Sequence, residues 1–132
     1  MEGIKAFVPL EDPFVISSCT ITQEENYFVK LTSSTGLVGW GQGTPWKPAT
    51  GDSFVEVLSE IKSLQWDMLD LNQAPESNYD SFVSEVTCRS LRCAIALAIH
   101  DIFCKSLGRP VYDIYSGQLR SLISSVTLSN EL

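Results

Sequence analysis

The sequence predicts an α+β domain, a three-stranded antiparallel sheet followed by a bundle of three helices. Apolar residues alternate between positions 4 and 41, and the spacing turns helical only after residue 52. The longest apolar run, 90–108, also follows the strands instead of alternating with them, which argues against a βαβ array. With 132 residues, the chain has the length of one domain that can bury its own core.

Ile4, Ala6, Val8 and Leu10 fall on one face of a half-buried first strand, and Asp12-Pro13 ends it. The stretch SSCTITQEEN, 17–26, is too polar for a core and is expected as a surface loop. YFVKLT (27–32) and LVGWG (37–41) read as two strands joined by SSTG, a turn with its glycine in place. The spacing Phe54, Leu58, Ile61, Leu64 then gives a first helix, with Ser53-x-x-Glu56 as a capping box. Tyr79, Phe82, Val83 and Val86 form a second, shorter helical face. The run 90–108 is apolar nearly all round and rich in alanine, the pattern of a buried helix, and Gly108 and Pro110 stop it. SLISSVTLS, 121–129, reads as a last strand.

Composition excludes several classes of function. Apolar residues are 44% and charged residues 19%, as in ordinary soluble domains, and no run of 18 apolar residues is present to span a membrane. A net charge of −7 without a basic cluster speaks against nucleic-acid binding, whose affinity comes largely from neutralising phosphates. The N-terminus lacks a basic stretch followed by an apolar run, so a cytoplasmic location is expected. Cys19, Cys88, Cys93 and Cys104 form no Cys-x-x-Cys pair and have one histidine for company, so no zinc site is expected and all four read as reduced thiols. Cys93 and Cys104 lie in the apolar helical run, where small buried thiols are common.

The residues themselves announce no active site. Gly39-x-Gly41-x-Gly43 superficially resembles a dinucleotide fingerprint, but Pro45 and Pro48 intervene before any helix begins. The glycines are better read as positions where another backbone packs closely. His100-Asp101 invites a catalytic reading, yet Asp101 stands four residues before Lys105, the spacing of an intrahelical ion pair. The acidic run at Gln23-Glu24-Glu25 reads as a solvated stretch rather than a cation site.

An ordered set of motifs adds a further signal: VPLEDPF, then YFVKLTSSTGLVGWGQGTP, then ATGD, then AIALAIHDIFCKSLGRPVYDIYSG. In this order and at these gaps they resemble the N-terminal capping domain of the enolase superfamily, in its mandelate racemase and muconate lactonising enzyme branch. Gln42 stands where the family pattern after Gly-Trp-Gly has glutamate. The resemblance implies a capping domain over 1–118 and the start of a (β/α) barrel over 119–132, with 121–129 as its first strand. In the family the barrel abstracts a proton next to a carboxylate and holds Mg²⁺ on three acidic residues, so no catalytic residue and no metal ligand carries over to this chain. Two loops that match Ile16–Glu25 and Gly43–Thr50 would fold over the barrel mouth, placing Ile16, Cys19, Ile21 and Trp46 towards a small carboxylate or dipeptide substrate, with Thr127 near the active-site end of the first barrel strand. The sequence looks closest to the dipeptide-epimerase and muconate-lactonising groups. The first loop carries no arginine, so it offers no fixed partner for an acidic side chain and favours an apolar one. Alone, the chain is expected to be inactive and to form a homo-oligomer through residues 121–129. The alternative is a non-catalytic binding or assembly module that retains the capping fold.

Overall fold

The computed structural model of the chain describes residues 1–17, 19–115, 121 and 123. Strands β1 (Glu2–Ile16), β2 (Cys19–Thr32) and β3 (Val38–Gly43) form an antiparallel sheet in the order β1-β2-β3. Five helices follow among the described residues: α1 (Lys47–Thr50), α2 (Phe54–Ser63), α3 (Pro75–Ser81), α4 (Arg89–Leu107) and α5 (Val111–Ile114). The α+β architecture is therefore the one the sequence predicts, with α1 and α5 as short additions. The predicted strand 121–129 and the boundary at 118/119 lie, apart from Ser121 and Ile123, outside the described residues.

Two expectations about the first strand are corrected. Asp12-Pro13 does not end it, and 17–26 is not a loop. Pairing of β1 with β2 runs from Glu2↔Lys30 to Ile16↔Cys19, with one register shift between Pro9 and Phe14. Proline cannot donate to a ladder, but β1 is an edge strand, and a bulge at the proline removes the need for a donor there. The polar residues 20–25 remain in strand because an antiparallel arm can leave its faces in water. The turn between β2 and β3 closes as predicted: the Gly36 N–H donates to the Ser33 carbonyl at 3.0 Å, with Gly36 at φ +84°.

The helices cover one face of this sheet, where Tyr27, Val29 and Leu31 are buried. Ile4, Ala6 and Val8 do share a face, but register places it opposite Phe28, Asn26 and Glu24, on the side away from the helices. Ile4 and Val8 are accordingly exposed. On the helix side β1 presents Gly3, over which the Tyr27 ring lies, and Lys5, whose ammonium stands 3.9 Å from the centre of the Phe54 ring.

The glycine row of β3 meets α4. A Cβ on Gly39, Gly41 or Gly43 would stand 2.3, 1.8 and 2.2 Å from the carbonyl oxygens of Ala98, Ala94 and Ser90. Two strand residues advance about 6.7 Å and four helical residues about 6 Å, so alternate glycines keep step with every fourth residue of the helix. The row is a seat for a helix backbone, with nothing of a phosphate loop about it. The edge of β3 is closed by the same helix. Lys105 Nζ donates to the Val38 carbonyl at 2.9 Å and pairs with Asp101 Oδ2 at 2.7 Å, the ion pair the spacing predicts.

Helix α4 has no capping side chain of its own at Cys88. Its first turn is held from a distance instead. The buried Asp52 carboxylate accepts from the Ser90 N–H and hydroxyl, both at 2.6 Å, and Glu60 accepts from the Cys88 N–H at 2.8 Å. The C-terminus of α4 ends on Gly108 in the left-handed region at φ +61°. The capping box at Ser53 and Glu56 opens α2 as predicted.

Three details of the helices differ from expectation. Helix α2 buries Val57, one position before the predicted Leu58, because its inward face runs through 54, 57 and 61. The second helical face is split: α3 stops at Ser81, Phe82, Val83 and Val86 enter the core around a single 3-10 turn at Val83–Glu85, and Tyr79 points to solvent. Helix α4 is not buried all round, since Leu97 and Cys93 are exposed, and of the two thiols predicted buried only Cys104 is.

Candidate functional site

Three of the predicted site residues come together. Ile16 and Ile21, from the far end of the β1–β2 hairpin, and Trp46, from the segment after β3, line one cavity of about 530 Å³ with Phe14 and Pro45. Cys19 pairs with Ile16 at the hairpin tip and is not among the lining residues. Thr127 lies outside the described residues. Phe14 and Thr44, which also line the cavity, were not singled out from the sequence. The sequence carries a signal for Phe14, since Phe14 and Ile16 continue past Pro13 the alternation of positions 4, 6, 8 and 10.

The segment carrying Trp46 is fixed at both ends. Behind it, the buried Asn26 Oδ1 accepts from Gln42 Nε2 and from the Thr44 hydroxyl, each at 2.7 Å. Ahead of it, the Trp46 N–H donates to the Thr50 hydroxyl at 3.0 Å, while the Ala49 and Thr50 N–H groups return to the Trp46 carbonyl. Gly51 at φ +82° then ends α1, and Lys47 clamps Glu56 at 2.7 Å. The clamp, with the hydrogen bonds from Ser53, holds the Glu56 carboxyl down to about 2. Gln42 thus works as a donor that orients the segment, a task a carboxylate at that position performs differently.

The cavity has an acidic rim. Glu24 and Glu25 line it, and among the described residues no arginine or lysine does. Lys5 stands 4.0 Å from the Glu25 carboxylate.

A second concavity, of about 660 Å³, opens where the outer face of the sheet meets the outward flank of α4. Phe28 and Trp40 form one wall, Cys93 and Leu97 another, and Val111 and Tyr115 the rim. His100 ties the rim in place. Its Nδ1 lies 2.7 Å from the Ala96 carbonyl, its Nε2 meets the Tyr115 hydroxyl, and the two rings stack with centres 5.7 Å apart. Asp101 also lines it, but its carboxylate accepts from the Trp40 N–H and pairs with Lys105, so His100 and Asp101 form no acid–base pair.

The remaining chemistry is structural. Burial first, then the neighbouring Glu60 carboxylate, push the Cys88 thiol up to about 12, and burial also raises that of Cys104. None of the four cysteines is in a disulfide. Among the described residues no three His, Cys, Asp or Glu side chains gather where a metal ion would sit. No helix there is long and apolar enough to cross a membrane.

Residues 3–115 match the family described as mandelate racemase / muconate lactonizing enzyme, N-terminal domain. The L-Ala-D/L-Glu epimerase of Bacillus subtilis (strain 168) is 27% identical over 98% of this chain and 36% of its own length. A crystal structure of the N-succinyl Arg/Lys racemase from Bacillus cereus ATCC 14579 superposes with a TM-score of 0.80 at 26% identity, covering 89% of this chain and 33% of that one. The dipeptide epimerase from Methylococcus capsulatus, complexed with Mg and the dipeptide L-Arg-D-Lys, superposes with a TM-score of 0.85 at 25% identity, covering 98% of this chain and 38% of that one. The chain spans about a third of the length of the curated relatives it matches. Mg is bound in the complete relative, but the described residues of this chain do not fit a metal, for want of a gathered donor set.

Proposed function

This chain belongs to the mandelate racemase / muconate lactonizing enzyme N-terminal domain family, and from that premise we propose that it is the substrate-capping domain of an epimerase-like enzyme. The observation that carries the reading is the match over residues 3–115 to relatives about three times as long, with epimerases and racemases of amino-acid derivatives prominent among them. The proton abstraction next to a carboxylate, and the Mg that assists it, belong to the part of such enzymes that lies beyond this match. What this chain supplies is selection. Ile16, Ile21 and Trp46, with Phe14, form the wall against which the substrate's side chain packs. The acidic rim and the absence of a lining cation favour an apolar side chain over an acidic one. Cys19, which pairs with Ile16 at the hairpin tip, remains in the proposal beside that wall, and Thr127, outside the described residues, remains in it on the family resemblance alone.

The reading requires the 132-residue chain to be catalytically silent alone. Incubated with Mg²⁺ in deuterated water, it leaves the α-hydrogens of dipeptides such as L-Ala-L-Leu unexchanged. Exchange above the protein-free rate, abolished by EDTA, would contradict the proposal.

A further inference from the structure

We infer that Lys5 is a positioning residue that fixes the hairpin arm against the first turn of α2 and so sets the gap between the two walls of the cavity, an inference that rests on the capping-domain reading. It stands at the root of the arm. Strand β3 backs β2 only from Tyr27 to Thr32, and Lys5 is the β1 partner of Tyr27. Beyond that pair, β1 and β2 run on as a two-stranded ribbon, which has little stability of its own. From Phe7 to Ile16 the ribbon reaches up to about 30 Å, so a swing of about 5° at the root carries the tip about 2–3 Å.

Lys5 reaches from this root to the helices. Its ammonium stands 4.1 Å from the centre of the Phe7 ring, 3.9 Å from that of Phe54 and 4.0 Å from the Glu25 carboxylate. Each of the three attracts a cation, and they are divided between two bodies: Phe7 and Glu25 belong to the arm, Phe54 to α2. Phe54 is a firm footing, buried and edge-on to Tyr27 with ring centres 6.0 Å apart. Lys5 is also the only basic side chain before Lys30, in a stretch that carries Glu2, Glu11, Asp12, Glu24 and Glu25. The same turn of α2 holds the other wall. Lys47 pairs with Glu56 at 2.7 Å and fastens the segment that carries Trp46. Lys5 on Phe54 and Lys47 on Glu56 thus bring both walls to one foundation. The spacing of Phe14, Ile16 and Ile21 from Trp46 is then governed at the root of the arm, away from its tip.

The test reads the gap in the 132-residue chain without substrate. Cys19, at the tip, carries a dansyl acceptor, and Cys93 is replaced by serine, while Cys88 and Cys104 are protected by burial. Trp46 is the sole tryptophan donor once Trp40 and Trp66 are phenylalanine. Lys5→Met, which drops the charge, lowers the energy transfer from Trp46, and Lys5→Arg retains it. Phe7→Leu, which removes only the arm's share of the stack, lowers it as well. Unchanged transfer in Lys5→Met, or in Phe7→Leu should Lys5→Met not fold, overturns the inference. So does a loss in Lys5→Arg as large as in Lys5→Met. In a fusion of residues 1–115 to the remaining two thirds of the Bacillus subtilis epimerase, Lys5→Met reduces the preference for L-Ala-L-Leu over L-Ala-L-Ala by about tenfold, through KM with kcat kept. An unchanged preference in an active fusion overturns the inference alone. An inactive fusion, with the transfer lowered in the chain, sinks the capping-domain reading and leaves the role of Lys5 in place.

Discussion

The carboxylate of Asp101 accepts a hydrogen bond of 2.8 Å from the backbone N–H of Trp40, a residue on the outer strand of the sheet. Together with Lys105 on the Val38 carbonyl, it gives the edge of β3 a side-chain ladder in place of a fourth strand. The Asp-x-x-x-Lys spacing on α4 therefore has a structural purpose beyond the intrahelical ion pair. Asp101→Ala should destabilise the chain by about 1–2 kcal/mol, the range for a charge-assisted hydrogen bond at a partly exposed site. Urea unfolding reads the loss, and faster hydrogen exchange at the Trp40 amide identifies its cause. An unchanged unfolding midpoint and exchange rate would show the edge bond to be incidental.

Of the glycines packed on helix backbone, Gly41 makes the closest approach. Gly41→Ala sets a methyl group 1.8 Å from the Ala94 carbonyl, a backbone atom that cannot turn aside. A cost of about 3 kcal/mol or more is expected, with α4 lifted from the sheet. Gly36→Ala has open space around it and suffers only from its φ of +84°, so it should cost about 1 kcal/mol. Thermal unfolding of the two variants checks the order, and equal losses would refute the backbone-contact argument.

Acid should weaken the domain in a defined window. Lys47 and the Ser53 groups hold Glu56 at about 2, below its ordinary 4.5. At Glu60, burial pushes upward, but the hydrogen bonds from Thr87 and Cys88 together outweigh it and lower the value. Groups lowered by folding stabilise fully above their unfolded values and lose that contribution as the pH falls through the folded ones. The melting temperature should thus be flat near neutrality and fall as the pH drops from about 4.5 towards 2. Glu60→Gln should lower the plateau and shallow the fall, and a melting temperature insensitive to pH in this window would contradict the assignment.

Gln42→Glu tests the anchor behind Trp46. The new carboxylate would face the Asn26 oxygen that now accepts from Gln42 and Thr44. Asn26 can turn its amide to meet it only if the Thr44 hydroxyl accepts where it now donates, and a charged carboxylate then sits in a partly buried site. A loss of about 1 kcal/mol is expected, with a change in the fluorescence of Trp46, measured in a background where Trp40 and Trp66 are phenylalanine. Identical stability and emission would remove Gln42 from the anchor.

How far the sequence discloses the fold depends on the element. The capping box at Ser53, the stop at Gly108 and the glycine seat on β3 are legible because each rests on local stereochemistry or spacing. The hairpin arm is not, because Asp12-Pro13 and the polar stretch after it look like a break unless the edge position and bulge of β1 are known. The distant caps of α4 by Asp52 and Glu60 are likewise hidden, since a carboxylate 38 residues from the amide it serves leaves no periodic trace. The candidate site follows the same division. Ile16, Ile21 and Trp46 are legible through the family resemblance and Phe14 through a strand alternation carried past Pro13, whereas Thr44 emerges only once the arm folds beside the segment after β3.

The central claim is that this chain chooses a substrate and does not transform it. The most direct test joins residues 1–115 to the remaining two thirds of the Bacillus subtilis L-Ala-D/L-Glu epimerase and follows α-hydrogen exchange of L-Ala-L-Glu and L-Ala-L-Leu with Mg²⁺ present. The account predicts that the fusion exchanges both dipeptides, that its preference moves towards L-Ala-L-Leu relative to the intact epimerase, and that Trp46→Ala erases the shift. A folded fusion that exchanges neither dipeptide, or that keeps the preference of the intact epimerase, would contradict it.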